Sequence, residues 1–362
     1  MLFDNEYGLN ARQPIKVLLA DDSPLVLAVL RKIITSTNEI KIVGETTRGN
    51  EVYRMAQSLK PDVICTDFHM PGMNGYEVTK EIMENNPLPI LIISSSVQSI
   101  GDELTIFNLL EAGAVDVFPK PIIGTEEEYK KVAEELIQRI KIVSKVRPFR
   151  RSSLKPTAQY NKPINQSFIN TDTPVRVIAI GASTGGPQLL AQILPNLPAS
   201  FPLPILCVQH IAEGFINDFV HWLNNSCLLN VKIAEQGEYP VGGTIYFPRE
   251  NTHLKVDKSG RLLLSKETVI KEHCPSVNEL FTSVAQYYTK FALGIILTGM
   301  GADGAVGLKN IHDMGGVTVA QDEESCVVFG MPKSAIEIGA VDRILSPRQI
   351  IDLLKLLING KL

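Results

Sequence analysis

The sequence predicts two α/β domains in series: a doubly wound five-stranded parallel sheet, then a second, mainly parallel sheet with an antiparallel hairpin edge. Three observations predict it. Short apolar runs rich in β-branched residues alternate with segments whose apolar positions recur at three- and four-residue steps, the signature of repeated β-α-β units. That alternation fills residues 1–146, stops across 147–174 and resumes over 175–362. Within the second stretch, "VKIAEQGEYPVGGTIYFPRENTHLKVDKSGRLLLSK" alternates in twos and turns at Gly-Gly and Ser-Gly, which reads as antiparallel hairpins.

Taken in order, the first domain offers strands at Lys16–Ala20, Ile40–Glu45, Val63–Thr66, Pro89–Ser94 and Val115–Phe118. Amphipathic helices are expected between them, among them Leu25–Thr37 and Gly75–Asn86, and a last one from Glu126 to Val146. Residues 147–174 carry prolines at 148, 156, 163 and 174, no apolar period and a basic balance, so they read as a semi-stiff linker. In the second domain, strands are expected at Arg176–Ile180, Ile205–Gln209, Ala292–Thr298 and Val317–Ala320, with a helix near Gln188–Leu194.

Composition narrows the function classes. Of 362 residues, 44% are hydrophobic and 20% charged, which is enough apolar surface to build two cores. A net charge of -4 argues against a nucleic-acid partner, which would call for a basic stripe. No apolar run reaches the roughly 18 residues of a bilayer span, so no direct membrane insertion is expected. The N-terminal "MLFDNEYGLNARQPIK" lacks the apolar core of a secretory signal. Five scattered cysteines point to reduced thiols and a cytoplasmic location. Cys207 with His210, and His273 with Cys274, lack the second pair that a zinc site needs.

Sites in open α/β sheets form at the carboxyl ends of strands. In the first domain those ends carry Asp21 and Asp22, Asp67 in "TDFHMPGMNG", Ser94, and Lys120 in "FPKP". Three converging carboxylates repel one another unless a hard divalent cation lies among them, and such oxygen donors suit Mg²⁺. A lysine beside them suits phosphoryl oxygens. A plainer role is open for single members: Asp22 or Ser23 before Pro24 would cap a helix. "LLADDSP", "DVICTDFHMPGMNG", "ILIISSS" and "FPKP" together resemble, in order and spacing, the receiver domain of two-component response regulators. The resemblance implies Asp67 as phospho-acceptor, Asp21 and Asp22 as positioners of Mg²⁺, and the main-chain carbonyl of His69 as a further metal ligand. It implies phosphoryl contacts from Ser94 and Lys120, and a histidine kinase as phosphodonor. Where receivers usually carry an aromatic switch residue, three positions before the lysine, this chain has Val117, followed by Phe118.

In the second domain, "VIAIGASTGGP" ends a buried strand in a tight glycine turn, and Gly181-Ala182-Ser183-Thr184-Gly185 fits the G-x-S-x-G nucleophile elbow. A helix starting just beyond would point its N-terminus at the same spot. His210 ends the neighbouring strand "ILCVQH", and Asp303 follows "FALGIILT", so a base and its orienter are available. "GMGADG" also fits a dinucleotide fingerprint, with Asp322 at about the ribose distance, which would make the chain a dehydrogenase. That reading leaves "GASTGG" and His210 without a role. "VIAIGASTGGP", "VQHI", "PSVNELF", "ILTGMGADGAVGL" and "AQDEESCVVFGMPKSAIEIGAVDRIL" closely resemble the catalytic domain of the chemotaxis protein-glutamate methylesterases, which the family joins to a receiver. The resemblance implies hydrolysis of methyl esters on chemoreceptor helices, with glutamine deamidation beside it and no cofactor for the ester reaction. It implies Ser183 as nucleophile, His210 as general base and acid, and Asp303 as orienter. Backbone N–H groups near Thr184 and Met300 become oxyanion candidates, and His273 a cleft residue. Cys274 and Asn278 stand where the family more often has Arg and Asp, which suggests changes in the substrate cleft.

Overall fold

The computed structural model describes residues 13–94, 106–121, 125–146, 174–266 and 274–359. Nearly all of the expected linker, and His273, lie outside them. The chain divides into two compact units.

In the first domain the order is β1 (Ile15–Ala20), α1 (Pro24–Ile34), β2 (Ile40–Thr46), α2 (Gly49–Leu59), β3 (Val63–Thr66), α3 (Gly75–Asn85), β4 (Ile90–Ser94), α4 (Ile106–Ala112), β5 (Asp116–Pro119) and α5 (Glu126–Val143). The strands lie in the order β2-β1-β3-β4-β5, with β1 parallel to both β2 and β3. Val17, Leu18, Leu19, Val63, Ile64, Ile90, Leu91 and Ile92 are all wholly buried, as expected of strands covered by helices on both faces. Helix starts follow local chemistry: Ser23 caps α1 ahead of Pro24, and Asn74 with Glu77 and Thr125 with Glu128 form capping boxes. α1 stops at Ile34, short of the expected Thr37, because the hydroxyls of Thr35 and Ser36 turn back onto the carbonyls of Arg31 and Ile33.

The second domain runs β6 (Val177–Ala182), α6 (Gly186–Ile193), β7 (Ile205–Gln209), α7 (Ile216–Ser226), β8 (Asn230–Ile233), β9 (Thr244–Phe247), β10 (His253–Val256), β11 (Leu262–Ser265), α8 (Val277–Tyr288), β12 (Ala292–Ile296), α9 (Ala305–Asp313), β13 (Val317–Gln321), α10 (Met331–Glu337), β14 (Arg343–Leu345) and α11 (Pro347–Leu356). Seven strands form one sheet, β14-β13-β12-β6-β7-β9-β8. All their described pairings are parallel. From β6 the chain builds outward through β7 on one side, then returns to place β12 on the other. The carboxyl end of β6 is therefore the topological switch point, where open sheets bind ligands.

The segment expected to form hairpins divides in two. At Ser259-Gly260 the chain does reverse, and β10 pairs antiparallel with β11 in a sheet of their own. This hairpin is tied to α8, where Val256 N donates to Ser283 Oγ at 3.0 Å. Around Gly242-Gly243, by contrast, β8 and β9 are parallel members of the main sheet. Alternation in twos marks a strand but does not state its direction, and the ten residues between β8 and β9 give the chain length to cross over.

Candidate active site and acidic cluster

Register brings the serine and the histidine together. Ala182, the last residue of β6, pairs with Gln209, the last of β7, so Ser183 and His210 follow side by side. His210 N donates to the Ala182 carbonyl at 2.9 Å, and Ser183 N to the Thr298 carbonyl beyond β12 at 3.0 Å. Asp303 lies between β12 and α9. His210 Nε2 lies 2.8 Å from Asp303 Oδ2, with both side chains about one-tenth exposed. All three expected residues thus follow adjacent strands at one end of the sheet. The turn differs from a strained nucleophile elbow. Ser183 is not in the left-handed region; that step falls two residues later, at Gly185 with φ +80°. A Cβ at Gly185 would also stand 2.5 Å from Val327 Cβ, so this position needs glycine twice over.

Asp303 is enclosed by donors. Beside His210, its carboxylate accepts from Val277 N at 2.8 Å, Asn278 N at 2.9 Å and Ser276 Oγ at 2.9 Å. These groups are the first turn and N-cap of α8, where partial positive charge gathers. Burial pushes the carboxyl up, but His210 and the two backbone N–H groups outweigh it and hold the pKa at about 2. The enclosure extends one step further: Ser276 N donates to His253 Nδ1 at 3.2 Å, and His253 is buried. The start of α8 is therefore filled by the chain's own carboxylate. Asp322, the expected ribose ligand of the dinucleotide reading, accepts instead from Ser325 N and Oγ.

The first domain gathers its acids differently. Asp21, Asp22 and Asp67 each place a carboxylate oxygen within 4.8 Å of the others. Asp21 and Asp67 are buried and Asp22 is exposed. One ammonium serves two of them: Lys120 Nζ lies 2.9 Å from Asp21 Oδ2 and 2.8 Å from Asp67 Oδ2. Burial pushes both buried carboxyls up, and a neighbouring carboxylate adds to it, Asp22 for Asp21 and Asp21 for Asp67, against the pull of Lys120. Ser94 Oγ is wholly buried with no hydrogen-bond partner among the described residues, while Lys120 N donates to the Ser94 carbonyl at 2.9 Å. Three carboxylates against one ammonium, with an unused hydroxyl on the residue that pairs through its carbonyl with Lys120, fit a divalent cation and a phosphoryl group. Val117 and Phe118 are both buried.

Comparison with known proteins places both halves. Residues 17–133 match the response regulator receiver domain, and residues 178–354 the CheB methylesterase domain. A protein-glutamate methylesterase/protein-glutamine glutaminase of Hahella chejuensis is 39% identical over 342 residues, spanning 93% of this chain and 97% of the relative. The chain belongs to the CheB methylesterase family. A second relative of that name, from Syntrophus aciditrophicus, is 41% identical over 338 residues, spanning 93% of this chain and 96% of its own. Among solved structures, the Thermotoga maritima CheB methylesterase catalytic domain is 39% identical, covers 50% of this chain and 98% of its own, and superposes with a TM-score of 0.48. The protein is thus a hydrolase of the chemotaxis methylesterase class with a response-regulator receiver.

Within this CheB framework the remaining expected residues fall into place unevenly. Thr184 is buried, and its carbonyl accepts from Thr298 Oγ1 at 3.0 Å. Met300 is 45% exposed. His273 lies outside the described residues. Asn278, expected as a change in the substrate cleft, also braces the fold: its N serves Asp303 and its Oδ1 accepts from Gly307 N, tying α8 to α9. The enclosure of Asp303 by Ser276, Val277 and Asn278 was missed in the sequence, although a signal was present. "SVNE" is an S-x-x-E helix start, and Glu279 N does donate to Ser276 Oγ. Among the described residues, no helix is long and apolar enough to cross a membrane.

Proposed function

We propose that this protein hydrolyses glutamate γ-methyl esters on chemoreceptor helices by a Ser183–His210–Asp303 mechanism, and that phosphorylation of Asp67 controls the rate. The observation that carries the reading is the 2.8 Å contact of His210 Nε2 with Asp303, with Ser183 beside His210 at the ends of two adjacent strands. With Nε2–H committed to the carboxylate, Nδ1 takes the Ser183 proton as Oγ attacks the ester carbonyl. Asp303, held ionised by four donors, stabilises the imidazolium that results. Backbone N–H groups near Thr184 and Met300 receive the oxyanion. The imidazolium protonates the departing methoxide, releasing methanol; water then attacks the acyl-serine, giving a proton to His210, which returns it to Ser183 Oγ as glutamate leaves. The same steps deamidate glutamine, with ammonia leaving in place of methanol.

In the receiver, Asp67 accepts the phosphoryl group from a histidine kinase. Asp21, Asp22, Asp67 and the His69 carbonyl would hold Mg²⁺, which when bound supplies the positive charge that phosphoryl transfer needs. Lys120 Nζ then moves from carboxylates to a phosphoryl oxygen, and the buried Ser94 Oγ donates to another. The domains are read as 1–146, 147–174 and 175–362, the setting as cytoplasmic, and the unphosphorylated receiver as inhibitory. Methanol release from methylated receptor membranes, with and without a small phosphodonor, tests the whole reading. Turnover that requires Ser183 and rises with phosphodonor supports it; release independent of both overturns it.

A further inference from the structure

In "GASTGGP" the serine motif uses Gly181 and Gly185 but leaves Gly186 unexplained, and "VQH" sets an amide directly before His210. The structure joins these two loose ends. Gln209 is 1% exposed at the end of β7. Its Nε2 donates to the Ser183 carbonyl and to the His210 carbonyl, both at 2.8 Å. The last ladder bond between β6 and β7 is His210 N to the Ala182 carbonyl. Beyond it the two chains part, one into α6 and the other into a loop. One amide therefore ties them a residue further on, at the two positions assigned to nucleophile and base.

Its other end has no such partner. Gln209 Oε1 is buried without a hydrogen bond among the described residues. It rests against Gly186, where a Cβ would stand 2.0 Å away. Turning the amide over would set Oε1 against two carbonyl oxygens, so the donors fix its orientation. A buried amide oxygen left unpaired is destabilising, and proteins keep such groups chiefly where function overrides stability.

We propose that Gln209 is a positioning residue for ester hydrolysis: it sets the separation of Ser183 and His210 through their carbonyls, and Gly186 keeps clear the space its side chain needs. This rests on the assignment of Ser183 and His210 given above. The test uses the full chain with phosphodonor and methylated receptor membranes. Gln209→Met keeps the length and volume of the side chain but removes both donors. Gln209→Glu keeps its shape but turns a carboxylate oxygen toward the two carbonyls. Each should lower kcat by roughly 10- to 100-fold, as small misplacements of reacting groups do, with KM within about twofold. The rate at which a fluorophosphonate labels Ser183 should fall in parallel, and the unfolding transition reported by Trp222 should persist. A merely packing role would leave Gln209→Met with normal kcat and normal labelling. That result, beside an inactive Ser183→Ala, overturns the role of Gln209 alone. Failure of both Gln209 variants to fold also overturns it, since the residue would then be a folding determinant. Turnover retained in Ser183→Ala overturns the assignment beneath it.

Discussion

Two acidic sites stand at the carboxyl ends of two parallel sheets, and they are opposites. Asp303 in the second domain has four donors, and its carboxyl lies near 2. Asp21 and Asp67 in the first share one ammonium, and their carboxyls are pushed above the ordinary range. The difference fits the two roles proposed for these carboxylates. A carboxylate that orients a base must stay ionised and still throughout turnover, so the fold supplies every partner in advance. A carboxylate that accepts a phosphoryl group must keep room for new partners, so the fold leaves its charge under-compensated. On that proposal the Asp303 site is complete as folded, and the Asp67 site is poised.

The largest effects should come from breaking the complete site. Ser183→Ala and His210→Ala should each lower kcat by on the order of 10³-fold or more, and the double variant should be little worse, because such groups act as a unit. Methanol release with circular dichroism as a folding control checks this. Asp303→Asn should be milder but still large.

Next in size are effects on the poised site. Asp67→Asn should abolish Mg²⁺-dependent phosphorylation by a small phosphodonor, and Lys120→Ala should weaken the response; acid-labile phosphate measured on each variant decides. Alkali-stable phosphate on Asp67→Asn would point to a different acceptor. Adding Mg²⁺ should raise the melting temperature of the first domain, whereas the second should not respond.

A third test separates the two sites by pH. The folded carboxyl of Asp303 lies at about 2, against an ordinary value of 3.8. Because the folded value is the lower one, its stabilising contribution is fully present above 3.8 and is lost as the pH falls through 2. That gap corresponds to about 2 kcal/mol. Trp222, the single tryptophan, lies buried in α7 of the second domain and reports its unfolding. Urea midpoints should fall between pH 4 and pH 2 in the parent chain, and less so in Asp303→Asn.

The smallest effects concern the coupling of the two domains. The fragment from Val175 to Leu362 should be more active than the unphosphorylated full chain, and phosphorylation should narrow the gap. Ser94→Ala should impair activation clearly, while an aromatic placed at Val117 should change it only slightly. Equal activity of fragment and full chain would leave the receiver as a targeting device.

Much of this was legible in the sequence because strand ends are local features. Asp21, Asp67, Ser183 and His210 each follow an apolar run, and the sheet topology does the rest. The partners of Asp303 were not legible in that way. Ser276, Val277 and Asn278 act through backbone N–H groups and one hydroxyl, from a helix start 25 to 27 residues earlier in the chain. Side-chain chemistry is written in the residue type, but main-chain donors are supplied by geometry alone. The direction of β8 and β9 was hidden for a similar reason, since period-two alternation is common to parallel and antiparallel strands.

The central claim is that a complete esterase site is governed by a poised receiver. Methanol release from methylated receptor membranes tests it most directly, measured for the full chain, Ser183→Ala and Asp67→Asn, each with Mg²⁺ and with or without phosphodonor. The account predicts release by the full chain that rises with phosphodonor, no rise in Asp67→Asn, and none of either in Ser183→Ala. Near-normal release by Ser183→Ala would contradict it.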